Sequence, residues 1–201
     1  MTKNGGIGLL KFYKGAMKGY DPLIDKWDKP TKRIYEGRTI EGRKTRGFGD
    51  SKFSYAGKSY NPDAWTQPMK YIKGNLETFI RRELDIEVDF KFCLCGYYGT
   101  DGKGIPHHSD TVPTYNDLVV SLSFGAPRIF QWHEYGYHIK QETNTSKTNI
   151  YTTDTRKETN YLMEDGDLFI FDGHSQMFAT HSVPDVEGGG ERVNLTFRTG
   201  I

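Results

Sequence analysis

Two residues in "PHHSDT" are spaced for shared chemistry. His108 and Asp110 lie two apart, and on an extended chain alternate side chains share a face, so an imidazole and a carboxylate can meet at one metal ion. His107 points the other way. An H-x-D triplet arises often by chance, so a third ligand must come from a distant strand. His181 in "ATHSVP", a short loop before the last apparent strand, is the better placed; His174 in "FDGHSQ" follows a strand end at Asp172-Gly173, suits a turn and is the reserve. Two imidazoles and one carboxylate on a β scaffold form the facial triad that suits non-haem Fe(II), because three ligands on one face of an octahedron leave the other face open to a chelating co-substrate and O2. Zinc accepts the same donors, but a zinc hydrolase usually needs a separate general base, and no H-E-x-x-H or paired carboxylate supplies one.

The chain's last strand, "RVNLTFR", alternates Arg192, Asn194, Thr196 and Arg198 with Val193, Leu195 and Phe197. Its polar residues therefore share one face. A dicarboxylate that chelates iron through one end needs a cation for the other, and the planar guanidinium fork binds a carboxylate through two donors at once. Arg192 and Arg198, six residues apart, can address the two ends of one small dianion. Cys93 and Cys95 are the only cysteines. They alternate with Phe92 and Leu94, and two thiolates alone make a poor zinc site, so they read as small residues filling one face of a strand.

These residues need a scaffold of strands. From residue 88 onward "VDFKFCLCGYY", "DLVVSLSF", "RIFQWHEY", "NIYTT", "DLFIF" and "RVNLTFR" are short, β-branched or aromatic, and separated by turn signals such as "FGAPR" and "EDGD". Before them Met69, Ile72, Leu76, Ile80 and Leu84 recur at helical spacing just after Pro68, which predicts one amphipathic helix with a packing face, weakened at its middle by Gly74. Short strands following a helix predict an α+β protein built on a β-sandwich or jelly roll with helical support, and jelly rolls hold ligands between their two sheets.

The 201 residues suit a single domain. No apolar run approaches a membrane span and the start lacks a leader pattern, which predicts a soluble, intracellular, monomeric protein without a membrane partner. Net charge is only +1, but residues 1–55 hold 13 Lys/Arg against 6 Asp/Glu, net +7, and the remainder is net −6. A basic first quarter suits a surface that faces phosphate.

The sequence resembles the AlkB-like, Fe(II)- and 2-oxoglutarate-dependent dioxygenases. The resemblance spans roughly residues 45–201 and rests on "HSD" at 108–110, then His181, then "RVNLTFR" at 192–198, with "SLSFGAPRIFQW", "GDLFIFDG" and "GFGDSKFSYAG" in supporting places. It implies a double-stranded β-helix (jelly roll) with supporting helices: a catalytic core at 88–201 and a basic extension with a nucleotide-recognition lid at 1–65. It implies that His108, Asp110 and His181 ligate Fe(II). Arg192 and Arg198, helped by Asn194 and Tyr98, would bind 2-oxoglutarate. Arg46, Phe48, Phe53 and Tyr55 would contact the substrate, with Arg43, Lys44 and Lys52 around them taking phosphate. The chain departs from the family pattern at Gly96, where relatives carry Asn, and at Thr111-Val112-Pro113, where many carry acidic residues. The implied reaction is oxidative dealkylation of N-alkylated bases in alkylated DNA or RNA, with O2 and 2-oxoglutarate consumed. An alternative keeps the chemistry and hydroxylates a protein or a small molecule.

Overall fold

Alternation along the later strands sorts their side chains onto two faces, and Phe92–Tyr98, Leu118–Gly125, Leu168–Asp172 and Arg192–Arg198 bury nearly all of both. The structure, a computed structural model, describes residues 7–30, 32–35, 38–41, 43–50, 52–55, 58–110, 116–135, 138–143, 146–151 and 155–199, and the side chains of these except within 32–41, 53–60, 138–151 and 155–156. In chain order the strands are β1 (Leu10–Tyr13), β2 (Lys32–Tyr35), β3 (Arg38–Glu41), β4 (Lys44–Gly49), β5 (Phe53–Tyr55) and β6 (Lys58–Tyr60). Helix α1 (Gln67–Leu84) follows. Then come β7 (Phe92–Tyr98), β8 (Ile105–His108), β9 (Leu118–Gly125), β10 (Arg128–Tyr135), β11 (His138–Thr143), β12 (Ser146–Tyr151), β13 (Thr155–Met163), β14 (Leu168–Asp172), β15 (Ala179–Val183) and β16 (Arg192–Arg198).

A six-stranded sheet runs β1-β14-β9-β16-β7-β4 and a four-stranded sheet runs β13-β10-β15-β8, every pairing antiparallel. Strands adjacent in space but distant in sequence are the mark of a jelly roll. Both edges of the larger sheet, β1 and β4, come from the first 50 residues, so the N-terminal segment is built into the core sheet as well as preceding it. Three two-stranded hairpins, β2-β3, β5-β6 and β11-β12, stand apart from the two sheets.

The outer face of the larger sheet packs on α1. Met69, Ile72, Leu76 and Ile80 of the helix are fully buried against Cys93, Cys95, Val120, Leu122, Ile170, Leu195 and Phe197. Each such side chain contributes roughly 1.5–3 kcal/mol of burial. The helix begins where Thr66 caps it, its hydroxyl accepting from the Met69 N–H at 3.4 Å with Pro68 in the first turn, and ends at Asp85 in the left-handed region (φ 56°). Among the described residues it is the only α-helix, and no helix is long and apolar enough to cross a membrane. Phe48, expected in the lid, is 2% exposed inside this same core, behind β7. Its place on the sheet-forming part of β4 leaves no face for a substrate base, which corrects the sequence reading.

The other face looks across to the smaller sheet. Phe169 and Phe171 of β14 meet Phe130 and Trp132 of β10 and Ala179 and Val183 of β15 in a second apolar cluster. Along β9 and β16 this inner face turns polar: Ser121, Ser123, Arg192, Asn194, Thr196 and Arg198 are all buried between the layers. That polar patch is where the site lies.

Candidate active site

His108 and His181 are cross-strand partners on β8 and β15, their rings 4.4 Å apart. The register shifts beside them, so three residue steps on β8 (Ile105 to His108) oppose two on β15 (His181 to Val183). A bulge of this kind re-aims side chains, and here both Ile105 and His108 reach the interior. Asp110 lies just beyond β8. His108 Nε2 is 3.9 Å from Asp110 Oδ1, and His181 Nε2 is 3.7 Å from Asp110 Oδ2. One ligand atom from each of the three residues falls within 4.8 Å of the others, so a single ion can meet all three.

The surroundings fix the donors in a metal-ready form. His108 Nδ1 lies 2.8 Å from the Pro106 carbonyl, which must accept from Nδ1–H, so Nε2 carries the lone pair toward Asp110. Burial pushes His108 and His181 below the usual histidine range, His181 to about 3 with His108 adding to the effect, so both imidazoles are neutral at physiological pH. Rings hold His181 in place: Phe130 stacks at 5.1 Å and 19°, and Trp132 at 6.2 Å and 5°. Asp110 is also buried, which disfavours its charge, but Arg198 and then the two histidines outweigh burial and hold its carboxyl below the usual range. Arg198 Nη2 donates to Asp110 Oδ1 at 2.7 Å. The Asp110 N–H donates to the side-chain oxygen of Gln176.

Next to the triad the inner face of β16 forms a hydrogen-bonded ladder. Arg192 Nη2 donates to Ser123 Oγ at 2.7 Å and to Asn194 Oδ1 at 2.9 Å. Ser121 Oγ donates to the same Oδ1 at 2.9 Å, and Asn194 Nδ2 donates to Thr196 Oγ1 at 3.0 Å. Arg192 stands 4.8 Å above the buried ring of Tyr98. Its Nε and Nη1 are buried and make no hydrogen bond among the described residues. A buried guanidinium with two idle donors fits a carboxylate ligand, since such donors are costly to leave unmet. Burial lowers the Arg192 pKa, and Tyr98 opposes the shift. One cavity is lined by His108, Asp110, His181, Arg192, Asn194 and Arg198, with Tyr98 at its wall.

The structure thus brings together nine of the residues named in the sequence: the triad, Tyr98, Arg192, Asn194, Thr196 and Arg198 of β16, and Arg43, which was expected among the cations around the lid. His174 stays outside, its ring 5.2 Å from that of Phe178 and tilted by 57° to it, at the start of the 3₁₀ turn Ser175–Met177. His107 faces outward, 3.9 Å from the His133 ring. Arg46 is held by Asp63 at 2.8 Å, Asp25 at 3.6 Å and the Lys26 carbonyl at 3.0 Å, so its charge is already compensated and a phosphate contact is not what it is placed for. The side chains of Phe53 and Tyr55, and all of Thr111-Val112-Pro113, lie outside the described residues. Sequence reasoning missed Ser121 and Ser123, which support Arg192, though their alternation in "VVSLSF" marks a polar inner face. It also missed Gln176, whose place depends on the turn after β14.

The family model described as 2OG-Fe(II) oxygenase superfamily matches residues 29–198 of this chain. Among solved structures, the chain is similar to one titled "The structure of OsALKBH1", at 16% identity and a TM-score of 0.53, covering 94% of this chain and 96% of that one. At that identity the likeness is one of fold, and it extends over nearly the whole of both molecules. No curated protein matches the sequence.

Proposed function

The chain belongs to the 2OG-Fe(II) oxygenase superfamily, whose members use Fe(II), 2-oxoglutarate and O2, and we propose that within it this protein removes alkyl groups from bases of DNA or RNA. His108, Asp110 and His181 would hold Fe(II). Arg192 and Arg198 would take the two ends of 2-oxoglutarate, with Tyr98 beneath Arg192 and Asn194 fixing its angle. Iron, O2 and 2-oxoglutarate together supply the oxidation, releasing succinate and CO2 and leaving an N-hydroxyalkyl base that breaks down to an aldehyde and the repaired base. The protein's own part is placement. Arg198 pins one oxygen of Asp110, Pro106 fixes the tautomer of His108, and Phe130, Trp132 and Phe171 keep water from His181.

The observation that carries the nucleic-acid reading is a groove beside the cavity. Lys44, Lys103 and Tyr97 line it, with Asp101 3.9 Å from Lys103 as the one carboxylate among the described lining residues, and Arg43 and Tyr98 are common to groove and cavity. Lys44 and Lys103, with the Tyr97 ring under Lys44, lie next to the proposed iron site and suit a phosphate backbone from which one base has been turned out. Phe53 and Tyr55 remain the proposed stacking residues. Incubation with Fe(II), 2-oxoglutarate and a single-stranded oligonucleotide bearing 1-methyladenine or 3-methylcytosine is expected to release formaldehyde and restore the base, read by mass spectrometry on DNA and RNA in parallel. Steady 2-oxoglutarate turnover without repair of any methylated oligonucleotide would overturn the substrate. The second reading, a hydroxylase of a protein or small molecule, then takes its place; it is favoured by the burial of Phe48 and the prior pairing of Arg46, which remove two presumed nucleotide contacts.

A further inference from the structure

Arg43 immediately precedes β4 and lays its side chain over the inner face of β7. A Cβ added at Gly96 would lie 2.3 Å from Arg43 Nε and 3.0 Å from its Cδ, so the arginine occupies the space that any side chain at position 96 would fill. Gly96 alternates with Leu94 and Tyr98 on β7 and pairs across to Asn194 on β16, which places Arg43 beside the ladder that holds Arg192. Arg43 and Arg192 stand over the same ring, 5.3 and 4.8 Å from the centroid of Tyr98. Arg43 Nε is buried and makes no hydrogen bond among the described residues. Arg43 also lines the cavity that His108, Asp110, His181, Arg192 and Arg198 enclose. Three arginines therefore face one space. Arg198 is ion-paired with the one carboxylate there, and neither Arg43 nor Arg192 makes an ion pair among the described residues. Like charges gathered in a buried space repel unless an anion lies among them.

We propose that Arg43 is a third cationic contact for 2-oxoglutarate, donating to the bound dianion beside Arg192, and that the absent side chain at Gly96 is what admits it. The proposal rests on the 2-oxoglutarate reading of the cavity and adds a residue from another strand to it. Arg43 is a determinant of co-substrate affinity rather than one of the cations that take phosphate from a nucleic acid.

Calorimetric titration of 2-oxoglutarate into the Mn(II)-loaded protein under nitrogen reads binding without turnover. Arg43→Ala is expected to weaken binding roughly tenfold or more, the scale of a lost charge-assisted hydrogen bond. Gly96→Ala leaves every charge in place but displaces Arg43, and is expected to weaken binding comparably. The double variant is expected to bind no more weakly than Arg43→Ala, because both changes act through one guanidinium. Mn(II) affinity should be unchanged throughout. Arg43→Gln, close in length and still polar, repeats the measurement if the alanine form does not fold. Wild-type affinity in Arg43→Ala or Arg43→Gln, or additive losses in the double variant, would overturn the role of Arg43 alone. A wild-type protein that binds Mn(II) but not 2-oxoglutarate would remove the cavity's co-substrate and Arg43's role with it.

Discussion

Asp110 stands between the two functions of the cavity. It is set to ligate iron with His108 and His181, and it is the counter-ion of Arg198, which is 1% exposed. Asp110→Ala is therefore expected to abolish metal binding and turnover together. It is also expected to destabilise the metal-free protein by about 3–5 kcal/mol, because it strands a buried charge. Metal content and guanidinium denaturation read the two losses separately; an active Asp110→Ala protein would mean that the ligands are wrongly chosen. His181 supplies a pH signature. Its folded pKa is about 3, whereas an unfolded histidine takes a proton near 6.5. Below 6.5 the unfolded state binds the extra proton, so stability falls as pH falls, by about 1.4 kcal/mol per pH unit until the folded pKa is reached. Urea denaturation of metal-free wild type and His181→Asn across pH 7.5 to 4.5 is expected to show the steeper loss in wild type.

At the scale of elements, α1 fastens the back of the larger sheet while β16 carries its chemistry in front. Gly74 lies on the exposed side of α1, and a Cβ there meets nothing within 4 Å. Gly74→Ala is expected to raise stability by about 0.5–1 kcal/mol without altering activity, since it removes only the unfolded chain's extra freedom. Phe197 is fully buried against Trp65 and Phe90, one position from Arg198. Phe197→Ala is expected to cost about 3–5 kcal/mol in a thermal or urea melt. The helix was legible because its apolar residues repeat with a single period, and β16 because its alternation is strict. β8 and β15 were not legible as strands: they are short, and β8 carries a bulge that breaks its alternation. β1 was hidden for another reason. Edge strands pair on one side only, so glycine and lysine are tolerated there and the local sequence looks irregular.

Over the whole molecule the charge is divided between a basic first quarter and an acidic remainder. The proposed substrate makes this division measurable. Affinity for a single-stranded oligonucleotide is expected to fall as salt rises, with log K declining by about 0.7 per phosphate contacted for each decade of salt. Fluorescence anisotropy between 50 and 200 mM salt checks it, and a flat response would favour the second reading. Arg46→Ala should leave the slope unchanged, because Asp25 and Asp63 already compensate that guanidinium. The basic charge of the first quarter is thus partly consumed within the fold, at Arg46, while Lys44 is exposed beside the groove.

By itself the sequence determined the donors: an H-x-D step, a later histidine, and a strand with two arginines on one face. Periodicity and residue chemistry are local properties, so they can be read from the chain directly. What only the tertiary structure decided was which groups meet. The pairing of β8 with β15 selected His181 over His174, the burial of β4 withdrew Phe48 from the surface, and the gap over Gly96 brought Arg43 into the cavity. Each outcome depends on contacts between residues more than 40 positions apart, which no local pattern encodes.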